Sequence, residues 1–221
     1  MGRILAILCI AAAVALPGCG GDDPEPQEGP WTLREALGRA QPYADAQEAR
    51  IYRGEAWEMT QTYLPPGFPE DLSNPRVEDG LPLDGRSVHW LFFAETPQGD
   101  VVYIQVLGPV VSTRLQEGGF FASDPWTSFN LDSDDAMDVV RRLPELETFF
   151  RNQGGAAAQY LLGGPPLGSG GNPIWGVKVH AGPSHADEHF VVEVDAVNGC
   201  VLDVQGEPYA PGPRPCPDPW D

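Results

Sequence analysis

Three of the four histidines fall within ten residues, in the stretch HAGPSHADEH that runs from His180 to His189. Imidazole nitrogens beside a carboxylate are a donor set that suits zinc, nickel or copper. The spacing H-x₄-H-x₃-H is compact enough for His180, His185, His189 and Asp187 to converge on one ion. It is not the spacing of a helical protease site. An H-E-x-x-H motif sets two ligands and a base on one helical face. Here His185-Ala-Asp-Glu-His189 puts the acids elsewhere, and Gly182-Pro183 turns the stretch into a hairpin loop. A polar, solvated loop is the plainer reading, and a periplasmic site for zinc or another transition metal is the sharper one.

Other chemistries find less in the chain. No G-x-S-x-G or S-x-x-K sequence presents a serine nucleophile. No phosphate-cradling glycine loop ends in lysine, and Lys178 is the single lysine. Aspartate and glutamate are so plentiful, at 32 residues, that the carboxylate pair of an envelope hydrolase stays open without any two acids being singled out. The run Asp132–Asp135 lacks the D-x-D-x-D-G order of a calcium loop and reads as a helix N-terminus. With 13 Lys and Arg against those acids the formal charge is −19. Such a surface repels nucleic acid and anionic headgroups, and it favours a basic partner or plain solubility. The chemistry-bearing residues thus point to a non-enzymatic protein.

The N-terminus carries the clearest local signal. Arg3 precedes about 13 uncharged residues, Ile4 to Leu16, too few for a comfortable membrane span and matching a secretory leader. Leu16-Pro17-Gly18-Cys19 resembles the lipobox of bacterial lipoproteins, with Leu at −3, a small residue at −1 and the cysteine at +1; Pro17 at −2 departs from the usual Ala, Ser, Thr or Val. The resemblance implies a leader over 1–18, cleavage before Cys19, and acylation of that residue with palmitate-like chains. Two or more chains anchor stably where one does not. Gly20 at +2 favours the outer membrane where the cell has one. Residues 19–30, rich in Gly, Pro and acid, then read as a flexible tether. With Cys9 lost in the leader and Cys19 lipidated, Cys200 and Cys216 remain as a disulfide pair in an oxidising compartment.

The globular part follows one plan twice, over 31–118 and 119–206, with a Pro-rich tail over 207–221 that ends near Trp220. In the first half Thr32-Leu-Arg-Glu35 is a capping box, followed by a stripe of Leu33, Ala36, Leu37 and Ala40. Strands are expected from Ala49 to Met59, from Val88 to Ala94 and from Val101 to Leu107, the last running on in VVYIQVLGPVV. The first two are separated by the proline-rich loop Leu64–Gly85, a possible contact surface carrying Phe68. In the second half Asp132 and Ser133 cap a helix with Ala136, Val139, Val140 and Leu143 on one face, and Pro144 opens a short second helix carrying Leu146, Phe149 and Phe150. Ala156–Leu162, Ile174–His180, Phe190–Asp195 and Cys200–Val204 then read as strands, the last two joined at Asn198-Gly199. Trp90 and Trp175 fall on matching penultimate strands. The expected fold class is α+β: a duplicated helix–strand–strand–strand unit with antiparallel sheets and helices on one face.

The helix from Ser133-Asp-Asp-Ala136, the strand Trp175–His180 and the hairpin Phe190–Leu202 resemble the PepSY family, whose turn pattern is matched by Asp195, Ala196, Asn198, Gly199 and Val201. The likeness covers about 70 residues of the second half. It implies a module found in protease propeptides and envelope lipoproteins, one that binds or inhibits peptidases and has no catalytic residues. The expectation is therefore a lipid-anchored binding module with a protein or peptide partner in the envelope.

Overall fold

The computed structural model describes residues 29–59, 83–119, 121, 123–126, 128–144, 157–165, 167–180, 189–205 and 216. Its first helix, α1 (Leu33–Asp45), starts where the capping box predicts. The Thr32 hydroxyl accepts from the Glu35 N–H at 3.3 Å, and the Thr32 N–H donates to Glu35 Oε2 at 2.9 Å. A second helix, α2 (Ser133–Arg141), has the same arrangement around Asp132 and Asp135. These carboxylates satisfy N–H groups that a helix leaves open and sit at the positive end of its dipole. The buried stripes are Leu33, Ala36, Ala40 and Ala44 on α1, and Ser133, Ala136, Met137 and Val140 on α2. Leu37, Val139 and Leu143 pack only partly against the core. The short helix expected after Pro144 lies outside the described residues.

Each helix leads into four antiparallel strands, not three. After α1 come β1 (Arg50–Met59), β2 (His89–Glu95), β3 (Val101–Leu107) and β4 (Val110–Gln116). After α2 come β5 (Ala157–Gly163), β6 (Ile174–His180), β7 (His189–Asp195) and β8 (Val201–Gln205). The expected long return strand VVYIQVLGPVV is really two. Gly108, at φ 49°, and Pro109 fold it back in a two-residue turn that pairs Leu107 with Val110. Glycine at the first central position suits the twist-matched hairpin turn. All eight strands form one sheet in the order β4-β3-β2-β1-β5-β6-β7-β8, so the two meanders join through their first strands. At that junction Glu55 pairs with Leu161 and Ala56 with Tyr160.

Apart from irregularities at Ile51–Arg53 in β1 and at Glu193–Val194 against β8, alternate strand residues turn to one face, on which both helices pack. Trp90, Phe92, Ile104, Val106, Tyr160, Leu162, Trp175, Val177 and Val194 are fully buried there, in one continuous core with the helix stripes. The two tryptophans do equivalent work. Trp90 Nε1 donates to the carbonyl of Trp31 at 2.9 Å, and Trp175 Nε1 to that of Leu131 at 3.1 Å. In each case the acceptor lies just before the helix N-cap, so a buried indole on the second strand fixes where its helix begins. Between the helices, the Leu33 N–H donates to Ser133 Oγ and the Arg34 N–H to Asp132 Oδ1, both at 3.0 Å. The start of α2 thereby caps α1.

Segment 83–87 crosses this meeting point. Gly85 has φ +80°, and a Cβ there would lie 2.4 Å from Asp134 Cα and from the Ser133 carbonyl. Positive φ and backbone contact together leave room for glycine alone. Gly85→Ala is therefore expected to lower stability by about 3 kcal/mol or more, read as a fall in the urea midpoint; a change within error would show that the segment is not held there.

Candidate functional site

The sheet's second face has no helix on it among the described residues. It carries Arg53, Glu55 and Trp57 on β1, with Leu91 and Phe93 on β2, Tyr103 and Gln105 on β3 and Leu161 on β5, all partly exposed. A groove of about 570 Å³ opens across these strands, lined by Tyr52, Arg53, Phe93, Tyr103, Phe121 and Leu161 among others. Its volume is that of ordinary ligand clefts. The Arg53 guanidinium lies 5.3 Å above the Phe93 ring and is paired to Glu55 at 2.5 Å. Phe93 meets Tyr103 edge to face at 5.2 Å, and the Tyr103 hydroxyl donates to Gln116 Oε1 at 3.0 Å. Tyr52 stacks on Phe121 at 4.7 Å, and burial, then the neighbouring Glu95, raise its phenol above the ordinary tyrosine range. The groove is thus an aromatic surface with a cation paired to Glu55, an arrangement suited to recognition.

The histidine cluster is placed in part. His180 and His189 pair across β6 and β7, with ring centroids 5.4 Å apart, and Trp57 stacks on His180 at 5.5 Å. His185 and Asp187 lie outside the described residues. No group of three or more His, Cys, Asp or Glu side chains that could hold a metal is found among the described residues. The remaining histidine, His89, is bonded to the Gln105 amide at 3.0 Å, and burial holds its pKa below the usual value.

Cys200, just before β8, is bonded to Cys216. Cys19, Phe68 and Trp220 lie outside the described residues. Of the other tryptophans, Trp31, Trp90 and Trp175 are core, while Trp57 and Trp126 are partly exposed. In the Asp195–Gly199 turn the Asp195 carboxylate accepts from the Val197 and Asn198 N–H groups and from both the Asn172 and Asn198 amides. Gly199 supplies the one positive φ, 76°, in that turn, and Asn198 does not share it. These residues build a turn and are fully occupied in doing so.

One chemically notable group escaped the sequence reading. Glu58 is 1% exposed, the one buried carboxylate among the described residues. It accepts from the Asp84 N–H at 2.9 Å, from the Gly85 N–H at 3.1 Å and from the Tyr160 hydroxyl in a short bond. Strand alternation would have flagged it, since Glu58 is in phase with the inward Gly54 and Ala56. The carboxylates Glu35, Asp132 and Asp135 are similarly engaged as helix caps. Among the described residues no helix is long and apolar enough to cross a membrane. No protein-family model, no curated protein and no solved structure matches the chain.

Burial and the Glu58 carboxylate raise Tyr160 well above its ordinary value of 10.0. A phenol with a raised folded pKa contributes stability below the unfolded pKa and loses it as pH rises beyond that point. Wild type should therefore lose stability above about pH 10. Tyr160→Phe should start about 1–3 kcal/mol less stable, because the buried Glu58 side chain has lost a donor, and should show a smaller alkaline loss. Denaturant midpoints from pH 7 to 11 measure both; parallel curves would refute this role for Tyr160.

Proposed function

We propose that this chain is a membrane-anchored envelope lipoprotein, built from two copies of a PepSY-like α+β unit, that binds a protein or peptide partner without transforming it. The observation that carries this reading is the asymmetry of the sheet. Among the described residues both helices pack on one face, and the other presents the Arg53–Phe93–Tyr103 groove. Aromatic and Arg side chains held rigidly on a scaffold are what interface anchors consist of. The charge of −19 would steer a basic partner, such as a peptidase that the module inhibits. The matching bonds of Trp90 and Trp175 and the repeated helix-plus-four-strand order support duplication. The Leu16–Cys19 motif supports the anchor.

Capture from envelope extract tests this reading. The full chain should retain a partner at low salt, and Phe93→Ala with Tyr103→Ala should reduce the yield roughly ten-fold or more. Retention unchanged by the double variant would place binding elsewhere. Cys19→Ala should move the chain from the membrane to the soluble fraction. A protein that stays membrane-bound would end the lipid-anchor reading.

A second reading, metal binding by His180, His185, His189 and Asp187, is favoured by the adjacency of His180 and His189. Calorimetry with Zn²⁺ should then give heat at micromolar protein that His189→Ala removes; no heat would dismiss it.

A further inference from the structure

β4 is the outer strand on one side of the sheet, and among the described residues no strand pairs with its free edge. Natural edge strands are usually guarded by lysine, proline, a bulge or an inward charge. Val110-Val-Ser-Thr-Arg-Leu-Gln116 has none of these. It pairs with β3 without a register shift, and its one charge, Arg114, lies opposite Tyr103 on the groove side. On the helix side the core runs out to this edge. Val106 pairs with Val111, Ile104 with Thr113, and Val102 with Leu115. The β3 residues of that row are fully buried and Val111 is partly covered, yet Leu115 is 54% exposed, as is 60% of Val110 beside the turn.

We propose that β4 pairs antiparallel with β4 of a second copy about a two-fold axis at Thr113, making one continuous sheet from both chains. The strand is self-complementary in that register. Val111 of each copy meets Leu115 of the other, which extends the buried row across the seam, and Thr113 meets Thr113. Arg114 meets Ser112, so no like charges stand directly opposite. Shifting the axis by one residue, to Arg114, would oppose the two arginines, and joining odd to even positions would put the two cores on opposite faces. Charge selects the same edge. In a chain of net −19 this strand carries one cation and no acid, so two copies meet there with little repulsion at the seam. The chain already uses this kind of joint internally, where β1 and β5 unite its two halves.

Single cysteines placed along β4 of the full chain read the register. Residues directly opposite in antiparallel strands have Cα atoms about 4.5–5.5 Å apart, within disulfide reach. Under mild oxidation, Thr113→Cys should therefore give a disulfide-linked homodimer on a non-reducing gel, with roughly ten-fold the yield of Ser112→Cys or Arg114→Cys. The wild-type chain run alongside sets the background from its own cysteines. Absence of the Thr113→Cys dimer, equal yields at all three positions, or an adduct with a different protein would overturn the pairing.

Discussion

A carboxylate withdrawn from water has to be met by donors, and the positions of those donors shape the middle of this protein. Glu58, near the end of β1, takes hydrogen bonds from the Asp84 and Gly85 backbone and from Tyr160 on β5. Leaving such a group unsatisfied costs more than its bonds return, so the first strand of each half and the segment that crosses the helix starts are specified together. Gly85 then lies against the first turn of α2, whose Ser133 and Asp132 cap α1. Arg86, from the same segment, reaches Glu35 at 3.1 Å and Asp134 at 4.0 Å, adding a cation among the capping acids. A chain of contacts thus runs from one buried acidic side chain to both helices and to the central strand pair.

That arrangement also sets the two faces of the sheet apart. Both helices are held on the side where Glu58 points, and Gly54 gives α1 and Trp126 room there: a Cβ at this position would lie 2.9 Å from Leu33 Cδ1 and 2.8 Å from the Trp126 ring. The opposite side, with Arg53, Phe93 and Tyr103, is left to the groove. Among the described residues, Glu35, Asp132, Asp135 and Asp195 accept N–H groups at helix starts and in a turn. The groove itself carries a guanidinium already matched to Glu55.

What could be read from the sequence was what neighbouring residues decide. The capping box at Thr32, the N-cap at Asp132 and the Asp195–Gly199 turn are local hydrogen-bond patterns, and seven strands fell within a residue or so of their expected limits. The eighth, β4, was missed because β-branched residues on both sides of Gly108-Pro109 masked a two-residue turn. The single sheet and its strand order were out of reach, since pairing β1 with β5 joins residues about 100 apart, such as Ala56 and Tyr160. The candidate site divides the same way. The approach of His180 to His189 was legible within one hairpin, whereas the groove is assembled from strands scattered along the chain. Glu58 was hidden by the usual expectation that glutamate is solvated, and the Leu83–Gly85 end of the proline-rich loop is tied into the core instead of forming a contact surface.

Site-specific photo-crosslinking in membranes tests most directly whether the groove face of the sheet is the working surface. A photoreactive residue in place of Phe93, in the groove, should yield a discrete adduct with an envelope protein. The same residue in place of Tyr43, exposed on the outer side of α1, should yield none. Adducts from Tyr43 alone, or none from either site, would contradict a binding role for this face.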